Sequence, residues 1–406
     1  YIIQPITEDN AEKYRVLQEE AVSLIESAGA AYAGTIYQNV REINPATFIG
    51  EGKLRELKER LYGLDEITVL FNGELSPSQT LNISAALDNR KVIDRTTLIL
   101  DIFAKNAQSS EGKLQVELAQ LKYIYPRLKG KGEALSRLGG GVGTRGPGET
   151  QLETDRRYIR GRLKYLEQRL RETEKRRSLQ TVRRKKDAVK TIALVGYTNT
   201  GKSTLLNTLT DAGILAEDKL FATLDPTTRN YKLPGGQEVL LTDTVGFINK
   251  LPHGLVKAFR STLEEVRYAD LLIQVVDFSD ENCRQQMQVT ADTLKELGAG
   301  DIPQIIVYNK ADKCEMEPLP QKRQGNWYLA AGLNIGIREL AEAVEQKVYA
   351  DNAECVFLIP YSAGNVASYL MEQAQILSRE YREDGILIHA DCHRQDMDRY
   401  REYIVS

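Results

Sequence analysis

The sequence predicts an α/β chain centred on a doubly wound, mostly parallel sheet, with an N-terminal α/β domain, a long antiparallel helical hairpin and a small C-terminal α+β domain. Three observations predict it. Short apolar runs at Thr191 to Val195, Val239 to Thr242 and Ile305 to Tyr308 each break off into a polar loop, the place where open parallel sheets bind ligands. Two stretches of helical periodicity flank a glycine-dense segment at 138–150. The 406-residue length exceeds one ordinary hydrophobic core. The expected plan is 1–110 for the N-terminal domain, 111–187 for the hairpin, 188–350 for the central domain and 351–406 for the C-terminal domain.

In the first segment, strand-like runs (Ala31 to Tyr37, Ile67 to Phe71, Lys91 to Ile93) alternate with helix-like ones (Ala11 to Ser27, Gly52 to Tyr62, Ser78 to Leu87). That alternation marks an α/β unit. Gly50-Glu51-Gly52-Lys53 looks like a phosphate loop but lacks the full spacing, and reads as a glycine turn capping the helix that begins near Lys53. Next, Leu114, Leu118, Leu121, Tyr125 and Leu128, then Ile159, Leu163, Leu166 and Leu170, recur every three or four residues. Two amphipathic helices follow from that spacing, joined by a tip too rich in glycine for either helix or strand. Fourteen Lys and Arg stand against three Glu between Arg156 and Lys186. So lopsided a run in a chain of net charge −3 points to a polyanion, with a solvated helix face as the plain alternative. Arg137 and Arg145 at the tip, with Arg156, Arg157 and Arg160, are the candidate RNA contacts.

The central segment carries the chemistry. Gly196-Tyr197-Thr198-Asn199-Thr200-Gly201-Lys202-Ser203, followed by Thr204, sits between a strand pattern and a helix pattern. This is a P-loop: its backbone N–H groups and the helix N-terminus face one anion, Lys202 adds a cation near the β- and γ-phosphates, and Ser203 offers a hydroxyl to Mg²⁺. Asp243-Thr244-Val245-Gly246 places a carboxylate for the Mg²⁺ shell and a backbone N–H for the γ-phosphate. In Asn309-Lys310-Ala311-Asp312, the Asp312 carboxylate accepts from guanine N1–H and its exocyclic amine, a donor pair that adenine lacks. The ligand expected is therefore GTP, with GDP as product, in a P-loop GTPase domain. Ala330-Ala331-Gly332 stands where GTPases usually carry Ser-Ala-Lys. The Ala331 N–H still suits the guanine carbonyl, whereas the packing of a lysine stem is lost.

Between these motifs, Phe221-Ala222-Thr223-Leu224-Asp225-Pro226-Thr227 reads as a switch loop. Because the Phe-x-Thr-Leu-x-Pro string resembles the switch of Obg-like translation GTPases, the resemblance implies Thr223 first and Thr227 second to complete the Mg²⁺ shell, and threonine turns beside Pro226 are the plain alternative. Lys202, Thr223, Asp243 and Gly246 form the expected catalytic set. Phe247 occupies the place of the glutamine that orients water in Ras-like enzymes, so intrinsic turnover should be slow. Asn199 is a candidate K⁺ ligand, with a loop-stabilising hydrogen bond equally open.

Residues 112 to 121, the tip Gly139 to Glu149, Thr150 to Arg157, the P-loop and the Phe221 to Arg229 string together resemble the HflX family of ribosome-associated GTPases, and the switch string resembles Obg-like translation GTPases. The resemblance implies binding to the large ribosomal subunit and its rRNA, a glycine tip directed at the peptidyl-transferase region, and splitting of stalled or stress-damaged ribosomes. A GTP-dependent RNA-remodelling factor that splits nothing, and a signalling switch acting on a protein, are the competing readings.

Composition bounds the rest. With 42% hydrophobic residues, no long apolar span and no basic-then-apolar leader, a cytoplasmic, monomeric enzyme is expected, without a membrane span or a DNA partner. Cys283, Cys314, Cys355 and Cys392 lack paired spacing and read as thiols. His389, Cys392 and His393 read as incidental. The C-terminal segment shows strand (Cys355 to Ile359), helix (Val366 to Arg379), strand (Ile386 to Ala390) and helix (Asp396 to Tyr403) patterns.

Overall fold

A computed structural model describes residues 1–136, 147–186, 189–210, 219–249, 265–314, 316, 318–350 and 352–405. The chain forms two compact units, one of Tyr1–Thr173 with Glu217–Asp225 and Val245–Thr262, the other of Glu174–Ala216, Pro226–Thr244 and Leu263–Ser406.

In the first unit, β1 (Ile2–Ile6), α1 (Tyr14–Ala28), β2 (Thr35–Asn39), α2 (Glu51–Arg60), β3 (Val69–Phe71), α3 (Pro77–Ala86), β4 (Val92–Asp94) and α4 (Arg95–Asn106) alternate. The strands pair in parallel in the order β2-β1-β3-β4. Local chemistry sets the ends. Gly50 caps α2, as read from the sequence. Ser76 and Gln79 form a capping box at α3, and the Asp94 carboxylate accepts from Thr97 N–H at 2.9 Å to start α4. Both β1 and α4 escape the sequence reading. The apolar run Leu98 to Phe103 shows no clean period because Leu98, Ile99, Leu100, Ile102 and Phe103 are all buried.

The hairpin is α5 (Ser110–Ser136) with α6 (Pro147–Lys186). Residues 147–150, expected in the loop, open α6 instead, as a proline at the first position of a helix permits. The rest of the expected tip, with Arg137 and Arg145, lies outside the described residues. Leu118, Leu166 and Leu170 are buried between the helices, with Leu114, Leu121 and Leu163 packed around them. Burying each leucine stabilises the pair by about 2 kcal/mol. Glu117 receives Arg162 at 2.6 and 2.8 Å, and Lys122 reaches Glu167 at 2.9 Å, fixing the helical register.

In the second unit, β5 (Lys190–Val195), α7 (Lys202–Thr210), β6 (Thr227–Lys232), β7 (Glu238–Asp243), β8 (Leu271–Asp277), α8 (Cys283–Glu296), β9 (Gln304–Asn309), β10 (Gln321–Arg323), β11 (Asn326–Tyr328) and α9 (Ile337–Val348) build a sheet of order β10-β11-β9-β8-β5-β7-β6. All pairings are parallel except β6 with β7 and β10 with β11. Ile192, Ala193, Leu194 and Val195 are fully buried, the unbroken apolar signature of a strand covered on both faces. Since β7 and β8 flank β5 on opposite sides, the end of β5 is the topological switch point.

The unit closes with β12 (Asn352–Ile359), α10 (Gly364–Gln373), β13 (Gln375–Tyr381), β14 (Ile386–His393) and α11 (Arg394–Arg399). Two expectations are corrected here. The helix expected over Val366 to Arg379 stops at Gln373, and the remainder is a strand paired with β14 from Gln375 opposite Asp391 to Tyr381 opposite Ile386. Ladder hydrogen bonds override a pattern in which Ile376 and Leu377 continue the helical period. Likewise, the helix expected over Asp396 to Tyr403 is α11 followed by a 3₁₀ turn at Arg401–Tyr403. On β14 the Cys392 side chain is buried while His389 pairs with Glu354 at 3.3 Å. These residues sit at odd spacing on a strand, so they face opposite sides. No metal-suited cluster of three or more His, Cys, Asp or Glu occurs among the described residues, and no described helix is long and apolar enough to cross a membrane.

Candidate nucleotide site

The loop from Gly196 to Gly201 leaves β5 at the switch point and enters α7. Gly196 (φ +149°) lies so close to the Val275 carbonyl of β8, and Gly201 (φ +90°) to the Asn309 side-chain amide, that a Cβ at either would overlap them. Two glycines at this spacing are thus demanded by packing as well as by φ. Lys202 is buried, and its Nζ donates to Tyr197 O at 2.7 Å and Gly196 O at 3.3 Å. Burial pushes its pKa down to about 8, with Asp243 opposing the shift and Lys310 adding to it. Ser203 Oγ donates to Asp243 Oδ2 at 2.6 Å. Thr244 Oγ1 donates to Leu194 O at 2.7 Å, fixing the end of β7 against β5. Thr227 stands directly opposite Asp243 in the β6–β7 ladder.

Asn309 links the P-loop to Ala331 and takes the N–H that was expected to meet the guanine carbonyl. Its amide donates to Thr200 O at 2.9 Å, and its side-chain oxygen accepts from Ala331 N–H at 2.9 Å. Lys310, in the left-handed region at φ +58°, donates to Asn199 O at 2.9 Å and pairs with Asp277 at 2.7 Å. Asp277 escapes the sequence reading, although its place at the tip of the apolar strand β8 is the same signal that marks Asp243 and Asn309. Ala311, Ala330 and Ala331 are buried, whereas the Asp312 carboxylate, Asn199 and Gly332 are exposed. Gly201→Ala should destabilise the second unit by about 3 kcal/mol, through backbone strain and loss of the buried Asn309–Thr200 bond. A lowered unfolding midpoint together with weakened nucleotide binding checks this.

The described residues 219–225 and 245–249 belong to the first unit. Phe221 (φ +58°) is buried edge-on against Phe103 with ring centroids 4.7 Å apart, and its carbonyl accepts from Asn106 at 2.8 Å. Leu220 N–H donates to Ser27 Oγ at 2.9 Å. Leu224 is buried, while Ala222 and Thr223 are half-buried. The Asp225 carboxylate accepts from Gln108 N–H and Ser109 N–H, each at 2.8 Å, just ahead of α5. Just after β7, Val245, Phe247, Ile248 and Asn249 are buried, and Asn249 O accepts from Arg95 at 3.2 Å. Gly246 lies among them. On α6, Arg157 and Arg160 are exposed and Arg156 is half-buried.

Family models match three stretches: residues 16–104 match a GTP-binding GTPase N-terminal region, 106–184 a GTP-binding GTPase middle region, and 191–310 a 50S ribosome-binding GTPase. The chain is 49% identical to GTPase HflX of Caldanaerobacter subterraneus subsp. tengcongensis, over 98% of this chain and 91% of that protein. It is 42% identical to GTPase HflX of Escherichia coli, over 90% of this chain and 87% of that one. Among solved structures, a GTP-binding protein from Sulfolobus solfataricus in complex with GDP matches with TM-score 0.45 and 24% identity, over 86% of this chain and 99% of that chain.

Proposed function

Since the chain belongs to the HflX family of GTPases, and so binds and hydrolyses GTP, we propose that it uses the nucleotide cycle to engage the large ribosomal subunit and to split or rescue stalled ribosomes under stress, as a cytoplasmic monomer. One observation carries the reading: a guanine-type loop ending in an exposed Asp312 and a helix bearing the fourteen-cation run share one chain. The family model's description as a 50S ribosome-binding GTPase agrees with it.

In the proposed chemistry, the loop N–H groups and Lys202 hold the phosphates, and Asp312 selects guanine, while the Ala331 N–H is taken by Asn309 Oδ1. Ser203 and Asp243, 2.6 Å apart, are a hard oxygen pair that fits Mg²⁺, with Thr223, or else Thr227, as the further ligand. The ion supplies charge neutralisation at the phosphates when bound. Phe247 is buried and carries no group to orient water, so we assign acceleration to the ribosome or to K⁺ held near Asn199. Turnover should rise on adding large subunits and in KCl relative to NaCl, and equal rates would remove these roles.

Lys202 gives a pH prediction. Its pKa near 8 in the protein must rise beside a polyphosphate, so binding takes up a proton above pH 8. GTP affinity should be flat below pH 8 and fall toward tenfold per pH unit above it. Calorimetry from pH 7 to about 9.5, in buffers of different ionisation enthalpy, checks both the slope and the proton uptake.

Sedimentation of whole ribosomes with the protein and a non-hydrolysable GTP analogue tests the function. Conversion to subunits supports splitting. Intact particles that carry the protein would favour an RNA-remodelling role, which the same hairpin could perform.

A further inference from the structure

Beyond its charge, α6 has an ordered exposed face. Tyr158 and Tyr165 are 73% and 50% exposed and stand seven residues apart, about 10.5 Å along the helix and about 20° around it. Gly161 lies between them with open space where a Cβ would project. Nothing in the packing asks for glycine there, and glycine mid-helix is unfavourable relative to alanine. Its effect is a flat gap between two rings. Arg157, Lys164 and Arg171 repeat the same seven-residue spacing along the adjoining edge, all exposed and, among the described residues, without an ion pair. The opposite side of the helix carries the buried Leu166 and Leu170. One ring is held in advance, because the Arg162 guanidinium lies 5.2 Å from the Tyr165 centroid and is itself pinned by Glu117 of α5.

We propose that this face is an RNA-stacking platform, with unpaired bases on Tyr158 and Tyr165, the strand passing over Gly161, and Arg157, Lys164 and Arg171 following the phosphates. Base stacking is tolerant of sequence, and a parallel cationic edge supplies the charge complement. A spacing of about 10.5 Å corresponds to about three steps of a stacked strand. The inference rests on the ribosome-acting reading and adds to it the residues that meet RNA.

The test uses the full chain, a fluorescent twelve-nucleotide oligouridylate read by anisotropy from 50 to 300 mM KCl, and co-sedimentation with large subunits. Tyr158→Ala and Tyr165→Ala should each weaken oligonucleotide binding roughly tenfold with the salt slope unchanged, while Tyr158→Phe and Tyr165→Phe bind as wild type. Lys164→Ala and Arg171→Ala should each flatten the salt slope by roughly 0.7. Gly161→Leu should weaken binding while leaving or raising the unfolding midpoint, which a structural role would not produce. Wild-type binding by both alanine variants, equal losses for Phe and Ala, or loss of subunit binding with oligonucleotide binding intact would overturn the platform. If the wild-type chain itself does not sediment with large subunits, the ribosome reading fails; if it does and the double alanine variant matches it, only this inference fails.

Discussion

Asp312→Asn should lower GTP affinity by roughly 10²- to 10⁴-fold and create binding of xanthosine triphosphate. The carboxylate in the loop that follows β9 is exposed, so it can accept from N1–H and the exocyclic amine together. Hydrogen bonds to charged groups contribute about 1.5–3 kcal/mol each. An asparagine accepts one of them and turns its own N–H₂ toward a donor, leaving two unsatisfied groups. Xanthine replaces that amine with a carbonyl, which the asparagine amide can serve. Hydrolysis assayed with each triphosphate checks the exchange. Undiminished GTP affinity would remove Asp312 from the base site, although the phosphate loop would be unaffected.

Arg95→Ala should destabilise the first unit by about 3–5 kcal/mol. The Arg95 and Glu20 side chains are only 4% and 8% exposed and form an ion pair. The guanidinium also donates to Asn72 Oδ1 at 3.0 Å and to Asn249 O at 3.2 Å, while Asn72 donates to Gln4 at 2.6 Å and Leu17 O at 2.8 Å. Truncation takes the Arg95 partner from a buried carboxylate and a hydrogen bond from several buried polar groups, which costs far more than the pair contributes net. Arg95→Met combined with Glu20→Leu should therefore recover most of the loss. Because Asn249 directly follows Phe247 and Ile248 and its carbonyl is held by Arg95, amide exchange at those two residues should also accelerate in Arg95→Ala. A loss of unfolding free energy below about 1 kcal/mol would contradict the network's role.

The loops at the carboxyl ends of the strands are legible in the sequence because each carries its own short motif directly after an apolar run. Gly196 and Gly201 take φ of +149° and +90°, which favours glycine, and Asp243, Asn309 and Asp312 announce themselves at the ends of apolar runs. Asp277 is equally visible by that rule, but its partner Lys310 is 33 positions away. Long-range pairing hides more. Arg95 reaches Glu20 and Asn249 across 75 and 154 positions, and Asp225 reaches Ser109 across 116. No periodicity encodes such contacts, so a loop that reads as nucleotide-facing shows Phe221 and Asp225 engaged by α4 and the start of α5. Strand β13 is missed for another reason: Ile376 and Leu377 fit a helical period, and only the β14 ladder decides between the two.

The central claim is that the guanine nucleotide state governs how the charged hairpin meets the ribosome. Co-sedimentation of the full chain with purified large subunits, in a non-hydrolysable GTP analogue against GDP at one fixed salt concentration, measures it. Strong association with the analogue, weak association with GDP, and loss of the difference in Asp312→Asn are expected. Equal association in both nucleotides would contradict it.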